Sequence, residues 1–302
     1  MEIAVIGSGA MGSLYGGTLA EAGHDVTLVD VWEEHVRTIE ESGLRLTDDD
    51  GERAIPVRAT TDPGTVSPPD LALVFVKSTQ TDVALDGARP LLDERVDVLS
   101  LQNGLGNAED IAGYVPERNV VAGVTTHGAT LEGPGRVFHA GSGPTRIGRY
   151  FVDDDDRVDA IAGAFTAAGL PTTVSDAIRD DIWEKVLVNV GINAPTALAR
   201  VENGALARTQ EGRRVVEAAV HEAVAVARHE GCTIRDDIVD HVVDVAERTG
   251  TNASSMLQDV RAGRETEVER IHGAVVRRAA RHDLAVPVNR TLADLVRLAQ
   301  GA

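Results

Sequence analysis

The chain has 302 residues, which is enough for two domains that each bury a core. Its 48 acidic residues outnumber its 29 basic residues, and the formal net charge is −19. A surface this acidic repels nucleic acid and anionic membranes, so neither is expected as a partner. Salt at about 1 M shortens the Debye length to about 3 Å and makes such self-repulsion tolerable, so we predict a halophilic host.

The cysteine content and the apolar pattern exclude further classes of protein. Cys232 is the only cysteine, which rules out an intramolecular disulfide and a multi-cysteine metal site. Acidic runs at 48–50 and 153–156 are interpreted as solvated loops, and no metal is predicted. The first strand pattern begins at Glu2, which leaves no room for a signal peptide, and no apolar stretch has the length of a membrane span. We therefore expect a cytoplasmic protein.

Short β-branched runs alternate with helical patterns through the first half of the chain. This alternation is typical of an α/β fold with a Rossmann-type, doubly wound parallel sheet. The predicted parallel strands are 2–6, 25–29, 71–76, 96–101 and 120–125. An antiparallel hairpin of 136–140 with 144–147, a helix at 157–168 and a strand at 172–174 are predicted to complete a dinucleotide-binding domain, 1–174.

After Ser175 the strand pattern stops and helical periodicity dominates. The predicted helices are 177–198, 209–229, 236–248, 254–262, 267–282 and 290–298. They indicate an all-helical second domain, 175–302, that binds the substrate. Because no long flexible linker separates the two parts, we expect the domains to abut and form a cleft between them.

A glycine-rich loop joins the first strand to the first helix. It consists of Gly7, Ser8, Gly9, Ala10, Met11 and Gly12. A G-x-G-x-x-G loop in this strand-to-helix context predicts dinucleotide binding: the first glycine allows the tight turn, the second lets the backbone approach the pyrophosphate, and the third lets helix and strand pack closely. The phosphates are then expected at the helix N-terminus.

The second predicted strand ends at Asp30, where the adenosine ribose of a bound dinucleotide is expected. A carboxylate there accepts hydrogen bonds from both ribose hydroxyls and repels a 2′-phosphate, which favours NADH over NADPH. Repulsion between unit charges about 4 Å apart is on the order of 4 kcal/mol at an effective dielectric of about 20, although molar salt weakens it. Arg37 remains an alternative contact for a phosphate.

Lys185, Asn189 and Asn193 follow one another at helical spacing and share one face of a predicted buried helix. Lys77 and Lys185 are the only two lysines among 29 basic residues, so both are candidates for tasks that arginine cannot perform. One interpretation is a polar face that packs on the first domain. The other is an ammonium that protonates a carbonyl oxygen during hydride transfer, with the two amides orienting the substrate.

A series of motifs runs along the chain from Glu2 to about Leu298. They are the glycine loop, Val76-Lys77, Gln102-Asn103-Gly104-Leu105-Gly106, Thr125-Thr126-His127, Trp183-Glu184-Lys185, Asn193-Ala194-Pro195-Thr196-Ala197, Ser254-Ser255-Met256-Leu257-Gln258-Asp259 and Thr266-Glu267. In these motifs the sequence resembles the ketopantoate reductase family. The resemblance implies reduction of 2-dehydropantoate (ketopantoate) to pantoate with NAD(P)H, for coenzyme A synthesis. The sequence departs from the family at Asp30 and Val31, where many members carry an arginine for the NADPH phosphate.

The resemblance also implies roles for individual residues. Lys185 would be the general acid, and Glu267 would bind and orient the substrate hydroxyl. Lys77 would lie near the nicotinamide ribose, and Asn103 would lie between nicotinamide and substrate, as a contact of both. The hydroxyl and carboxylate of ketopantoate would be held by Asn189, Asn193 and Ser255.

Local patterns bear on three of these positions. Thr266 and Glu269 have the spacing of a capping box, which places Glu267 in the first turn of a helix, where the macrodipole favours an ionised carboxylate. Asn103 follows a buried strand, although Asn103-Gly104 is also a common turn sequence. His127 follows another strand, but a histidine there is more often structural, so we leave it out of the catalytic set.

Two other functions fit parts of the pattern. A β-hydroxyacid dehydrogenase similarly pairs a Rossmann domain with a helical domain and a lysine followed four residues later by asparagine. A non-catalytic nucleotide sensor would keep the glycine loop and lose the chemistry, which intact Lys185 and Glu267 disfavour. The sequence also leaves open whether the protein is a homodimer.

Overall fold

The computed structural model describes residues 1–153 and 155–300. Part of the acidic run at 153–156 and the last two residues of the predicted second domain therefore lie outside the described residues. The chain forms two compact units: Met1–Gln102 with Asn107–Ile178, and Asn103–Gly106 with the chain from Arg179 onward. The assignment of dinucleotide binding to 1–174 and of substrate binding to 175–302 stays a prediction.

In its described residues, the first unit contains twelve strands, five α-helices and four short 3₁₀ helices. Its strands are β1 (Glu2–Ile6), β2 (Asp25–Val29), β3 (Leu44–Asp48), β4 (Gly51–Ile55), β5 (Arg58–Thr60), β6 (Leu71–Val74), β7 (Asp97–Ser100), β8 (Val120–Thr125), β9 (Gly128–Gly133), β10 (Arg136–Gly141), β11 (Thr145–Arg149) and β12 (Thr172–Val174). Its helices are α1 (Ala10–Glu21), α2 (Glu33–Ser42), α3 (Thr81–Gly87), α4 (Asn107–Ile111) and α5 (Asp156–Ala167).

The main sheet has eight strands in the order β12-β11-β8-β7-β6-β1-β2-β5. All neighbouring pairs are parallel except β8 with β11. The chain reverses its direction of progress across the sheet between β1 and β6, and ligands of doubly wound sheets bind beyond the carboxyl ends of the strands at such a switch point. The predicted Rossmann-type α/β fold is confirmed, and the loop after β1 lies at the switch point.

A second sheet was not expected from the sequence. It has four strands in the order β4-β3-β10-β9. The predicted hairpin of 136–140 with 144–147 is wrong: β10 pairs antiparallel with β9, whereas β11 pairs with β8 and β12. Gly135, with a φ of 65°, makes the actual hairpin turn. The segment between β10 and β11 instead carries the chain from one sheet to the other.

The second unit is all-helical over its described residues, as predicted. Its helices are α6 (Ile178–Ala199, which begins on the last residue of the first unit), α7 (Gly204–Arg208), α8 (Gln210–His229), α9 (Ile238–Arg248), α10 (Ser255–Arg261), α11 (His272–Arg281) and α12 (Pro287–Gln300). Each unit has its own apolar core, built mainly from valine, alanine, leucine and isoleucine. Along α6 that core buries the sides formed by Val186, Leu187 and Val190.

A buried ionic network ties β7, β11 and α5 together in the first unit. The guanidinium of Arg149 lies 2.6 Å from Asp97 and 3.0 Å from Asp155, and the side chains of Arg149 and Asp97 are only 1% and 4% exposed. Asp155 also caps α5 by accepting from two backbone N–H groups. Arg157 makes a second ion pair with Asp97 at 2.7 Å.

Replacing Arg149 with methionine is expected to lower the free energy of unfolding by about 3 kcal/mol. Removing one partner of a buried pair leaves an uncompensated charge, which costs about 3–5 kcal/mol, and Arg157 still pairs with Asp97. Denaturant unfolding at fixed molar salt measures the difference. The matched control is Arg58→Met, which removes an exposed partner of Asp25 and should cost less than about 1 kcal/mol. Equal losses in the two variants would contradict the assignment.

Candidate active site

The glycine loop after β1 is packed against the loop after β6. Gly7 has a φ of 90°, and a Cβ atom there would lie 2.7 Å from the backbone nitrogen of Val76. A Cβ atom at Gly12 would lie 2.0 Å from the carbonyl oxygen of Gly7. Both positions therefore require glycine, in the manner of a tight turn and a close helix-to-strand contact.

The loop fits a dinucleotide pyrophosphate. A Cβ atom at Gly9 would meet no protein atom within 4 Å, so the backbone is open to a ligand at this position. Helix α1 begins at Ala10 immediately afterwards, and in the described part of the chain no side chain caps its N-terminus. The first N–H groups of a helix have no intrahelical partner and carry a partial positive charge, so they suit a phosphate. Ser8 and Met11 complete the loop.

The carboxylate of Asp30 is already held by the protein. One oxygen accepts from the backbone N–H of Ser8 at 2.7 Å and from its hydroxyl at 3.1 Å, and the other accepts from the backbone N–H of Trp32 at 3.0 Å. A carboxylate has about four acceptor directions. Three are used, so a ribose has room for one further short hydrogen bond rather than the two expected from the sequence.

Lys77 and His127 follow β6 and β8, respectively, and both belong to the first unit. Lys77 is partly buried. His127 is buried, its Nδ1 lies 3.1 Å from Nε2 of His139, and its backbone N–H donates to the hydroxyl of Thr125. Burial and the charge of His139 lower the pKa of His127. These contacts hold the ring of His127 in place, and its omission from the catalytic set stays a prediction.

In the second unit, one face of α6 carries Lys185, Asn189 and Asn193. Lys185 and Asn189 are partly buried, and Asn193 is buried. Burial lowers the pKa of Lys185 to about 8, and the negative charge of Glu267 opposes this shift. The ammonium is therefore a much stronger acid than an exposed lysine.

The segment Asn103–Gly106 is bound to the turn that contains Glu267. The amide Nδ2 of Asn103 donates to Oε2 of Glu267 at 3.3 Å, and the backbone N–H of Leu105 donates to the carbonyl oxygen of Arg270 at 2.8 Å. Gly104 has a φ of 89°, and a Cβ atom there would lie 2.5 Å from Cβ of Arg270. Only glycine allows this approach, which places the Asn103 amide beside the Glu267 carboxylate.

The predicted capping box at Thr266 and Glu269 is wrong. Helix α11 begins at His272, and Glu267 lies in the turn before it. The Thr266 hydroxyl donates to Oε1 of Gln300 at 2.6 Å, and Glu269 binds the side chains of Arg277 and Arg297 at 3.0 and 2.6 Å, respectively. Both side chains thus pair with α11 and α12 instead of with each other's backbone. The helix macrodipole does not support the ionised state of Glu267 in the way the sequence suggested.

Ser255 is the first residue of α10 and is exposed. The preceding Ser254 is buried and caps the helix by accepting from the backbone N–H of Leu257. Its hydroxyl lies 2.7 Å from that of Thr196, which belongs to α6. Thr196 is one turn beyond Asn193, so Ser254 anchors the beginning of α10 beside the polar face of α6.

The structure connects the predicted site residues in two groups. In the second unit, Glu267 interacts with both Lys185 and Asn103, Asn189 and Asn193 share the helix face of Lys185, and Ser255 is anchored through Ser254. In the first unit, the glycine loop is joined to Asp30 and packed against the segment that leads to Lys77. Sequence reasoning missed the positioning roles of Ser254 and Arg270. The glycine at position 104 is a signal for a positive φ, but no local pattern connects it to Arg270, which lies far away in the chain.

Two other kinds of feature are absent from residues 1–153 and 155–300. No group of three or more histidine, cysteine, aspartate and glutamate side chains there is arranged to hold a metal ion. Over the same residues, none of the helices combines the length and the apolar character needed to traverse a bilayer.

Two family models cover most of the chain. The one described as "Ketopantoate reductase PanE/ApbA" matches residues 3–150, and the one described as "Ketopantoate reductase PanE/ApbA C terminal" matches residues 177–300. The curated 2-dehydropantoate 2-reductase of Halobacterium salinarum is 50% identical over 301 residues, which cover 99% of each chain. That of Pyrococcus horikoshii is 35% identical over 299 residues, which cover 98% of this chain and 97% of the relative.

Solved structures show the same relationship. The PanE/ApbA family ketopantoate reductase from Ralstonia eutropha superposes with a TM-score of 0.91 and 36% identity, covering 100% of this chain and 99% of that one. A D-mandelate dehydrogenase, solved with NADH and anilino(oxo)acetate, superposes with a TM-score of 0.93 and 30% identity over the same shares.

These similarities confirm the predicted fold class and reaction, and they favour this reaction over the β-hydroxyacid dehydrogenase and sensor alternatives. The relative from Halobacterium salinarum also agrees with the predicted adaptation to salt. The chain belongs to the ketopantoate reductase family and catalyses the NAD(P)H-dependent reduction of 2-dehydropantoate to pantoate.

Proposed function

We propose that Lys185 is the proton donor of this reduction and that Glu267 sets its acidity and orients the substrate. The observation that carries the proposal is the ammonium of the partly buried Lys185, whose pKa burial lowers to about 8 against the opposing charge of Glu267. When bound, NAD(P)H supplies the hydride that adds to C2 of ketopantoate. The oxygen on C2 gains negative charge as this happens and needs a proton.

The acidity of Lys185 suits this task. A general acid works best when its pKa lies near the working pH, because it is then protonated and still gives up its proton readily. An exposed lysine, with a pKa of about 10.4, holds its proton too strongly. Loss of hydration makes the ammonium more acidic, and the opposing charge of Glu267 keeps it protonated at neutral pH.

The amides and the serine hydroxyl supply neutral hydrogen-bonding groups. We assign the substrate hydroxyl to Glu267 and Asn103, whose side chains lie 3.3 Å apart. Asn189, Asn193 and Ser255 are assigned to the hydroxyl and carboxylate of ketopantoate. Amides donate hydrogen bonds to a carboxylate without adding a charge that would change the pKa of Lys185.

The cofactor is assigned to the glycine loop, with Gly9 and the N-terminus of α1 against the pyrophosphate and Asp30 against the adenosine ribose. Lys77 is assigned to the nicotinamide ribose, and Asn103 to the nicotinamide. NADH is the preferred cofactor in this proposal, because Asp30 repels a 2′-phosphate. The structural neighbour that was solved with NADH supports this choice. We also keep a cytoplasmic location as a prediction.

The function is tested by initial rates of ketopantoate reduction at molar salt, with NADH and NADPH in parallel. Turnover with NADH at a higher kcat/KM supports both the reaction and the cofactor assignment. Turnover only with NADPH would overturn the cofactor assignment alone. Absence of turnover with both cofactors would overturn the reaction.

A second candidate substrate class is a 2-keto acid with an aromatic substituent. It is favoured by the TM-score of 0.93 to D-mandelate dehydrogenase. The relative at 50% identity is a 2-dehydropantoate 2-reductase, and therefore ketopantoate is the first choice. Rates of D-mandelate and pantoate oxidation with NAD⁺ separate the two, and we expect pantoate to have the higher kcat/KM.

Replacing Lys185 with alanine is expected to lower kcat by about 10²- to 10⁴-fold, the usual contribution of general acid catalysis, while the Kd of NADH stays near its wild-type value. Lys185→Arg is the matched control: it keeps a positive charge, but a guanidinium does not give up a proton near neutral pH, so it should be nearly as slow. Wild-type turnover in either variant would remove proton donation by Lys185 from the mechanism.

The rate should also depend on pH with a definite sign. The acid form of Lys185 is present below its pKa of about 8, so kcat/KM should fall as the pH rises through about 8. Glu267→Gln removes the charge that raises this pKa, and the fall should begin at a lower pH in that variant. The measurement is the pH profile of kcat/KM at constant ionic strength. If kcat/KM of Glu267→Gln falls over the same pH range as that of the wild type, the proposed effect of Glu267 on the pKa of Lys185 is contradicted.

Replacing Asp30 with asparagine is expected to raise the ratio of kcat/KM for NADPH to that for NADH. Unit charges about 4 Å apart repel by on the order of 4 kcal/mol before salt screening, so a change of about tenfold should survive at molar salt. Asp50→Asn, an equal change of charge at an exposed position, is the control and should leave the ratio unchanged. An unchanged ratio in Asp30→Asn would show that other groups determine the preference.

A further inference from the structure

His35 is a buried polar residue to which the reaction assigns no task. It lies on α2, five residues after Asp30, and is 1% exposed. The ring of Trp32 stacks on it, with centroids 5.3 Å apart and an angle of 12° between the planes. Burial lowers the pKa of His35, and the charge of Asp30 opposes this. The imidazole is therefore neutral near physiological pH, when only one of its two nitrogens carries a hydrogen.

The hydrogen bonds of His35 determine which nitrogen that is. The backbone N–H of Gly135 donates to Nδ1 at 3.0 Å, so Nδ1 is the acceptor and Nε2 carries the hydrogen. Nε2 lies 3.4 Å from the hydroxyl oxygen of Ser13. That hydroxyl donates its only hydrogen to the carbonyl oxygen of Ser8 at 2.6 Å, so toward His35 it is the acceptor.

These hydrogen bonds form a chain in which each group donates to the next, and the chain ends at the predicted cofactor contacts. It runs from Gly135, in the turn between β9 and β10, through His35 and Ser13 to the peptide of Ser8. Ser8 in turn donates its N–H and its hydroxyl to the carboxylate of Asp30. Ser8 and Ser13 are both fully buried, so water does not compete for these bonds. The second sheet is thereby connected to the glycine loop.

We propose that His35 is a positioning residue for the dinucleotide, and that its hydrogen bond to Ser13 holds the Ser8 peptide and the Asp30 carboxylate in the orientation that receives the pyrophosphate and the adenosine ribose. The proposal rests on the proposed cofactor site and goes beyond it, since His35 lies on α2, outside the glycine loop, and contacts the Ser13 hydroxyl and the backbone of Ser8. It also gives a task to the turn at Gly135, which lies outside the main sheet.

The test uses the full chain at molar salt and the Kd of NADH. His35→Asn keeps an oxygen that can accept a hydrogen bond from Gly135, but the asparagine side chain is too short to reach Ser13. His35→Gln carries an amide N–H near the position of Nε2 and is the conservative rescue. Ser13→Ala removes the next bond of the chain. We expect His35→Asn and Ser13→Ala to raise the Kd about threefold to tenfold, the effect of one lost hydrogen bond, and His35→Gln to return it toward the wild-type value.

Two readouts separate positioning from a general loss of structure. If His35 acts through Ser13, the double variant His35→Asn/Ser13→Ala should bind NADH no more weakly than the weaker single variant, whereas independent effects would multiply. ADP-ribose should lose the same affinity as NADH, and kcat at saturating NADH and the KM for ketopantoate should not change. Should His35→Asn fail to fold, Ser13→Ala and His35→Gln decide the question by the same measurements.

Wild-type affinity for NADH in folded His35→Asn, or multiplied effects in the double variant, would overturn the proposal. A failure of the cofactor site itself gives a different result: the wild-type chain would then bind neither NADH nor ADP-ribose. If the wild-type chain binds NADH and reduces ketopantoate while the variants bind equally well, only the role of His35 is rejected.

Discussion

Opposing effects of burial and charge on one ammonium underlie the chemistry proposed for this protein. The loss of water around Lys185 destabilises its charged form, and the negative charge of Glu267 offsets part of this destabilisation. With burial alone, the pKa of Lys185 would be lower still, and less of the side chain would be protonated at neutral pH. With full hydration, it would hold the proton too tightly. The fold has to place a carboxylate at one particular location relative to a buried helix face.

That placement depends on two close contacts of the backbone. Gly104 approaches Arg270 more closely than any side chain would allow, and this contact brings the Asn103 amide to Glu267. The turn that contains Glu267 is anchored by Thr266 and Glu269, whose partners lie on α11 and α12. A segment of four residues from the middle of the sequence thus becomes part of the helical unit and supplies one of its polar groups.

Much of the architecture follows from the sequence, because buried parallel strands and amphipathic helices have strong periodic patterns. The glycine loop and Asp30 were identifiable for the same reason: their spacing reflects local geometry around one strand and one helix. The sheet formed by β3, β4, β9 and β10 was not, because most positions of these strands are at least partly exposed and the pairing of β3 with β10, which joins the two hairpins, links distant segments. The capping box at Thr266 failed because long-range side-chain partners on α11 and α12 outweighed a local motif.

The candidate site likewise has features that the sequence predicts and features that it does not. Lys185, Asn189 and Asn193 were predictable from helical spacing, but the acidity of Lys185 was not, since it depends on burial and on a carboxylate 82 positions later in the chain. The number of acceptor directions left on Asp30 and the direction of the hydrogen bonds through His35 likewise require coordinates. Sequence patterns identify the groups, and tertiary contacts determine their protonation and orientation.

The central claim is that a hydride passes from the cofactor to C2 of ketopantoate while the protein supplies the proton to oxygen. Its most direct test is a turnover at molar salt with NADH that carries deuterium on the transferable C4 position, followed by mass and NMR analysis of the pantoate. The account requires one deuterium, bound to C2. Pantoate formed without deuterium at C2, or with a hydrogen taken from water at that carbon, would contradict it.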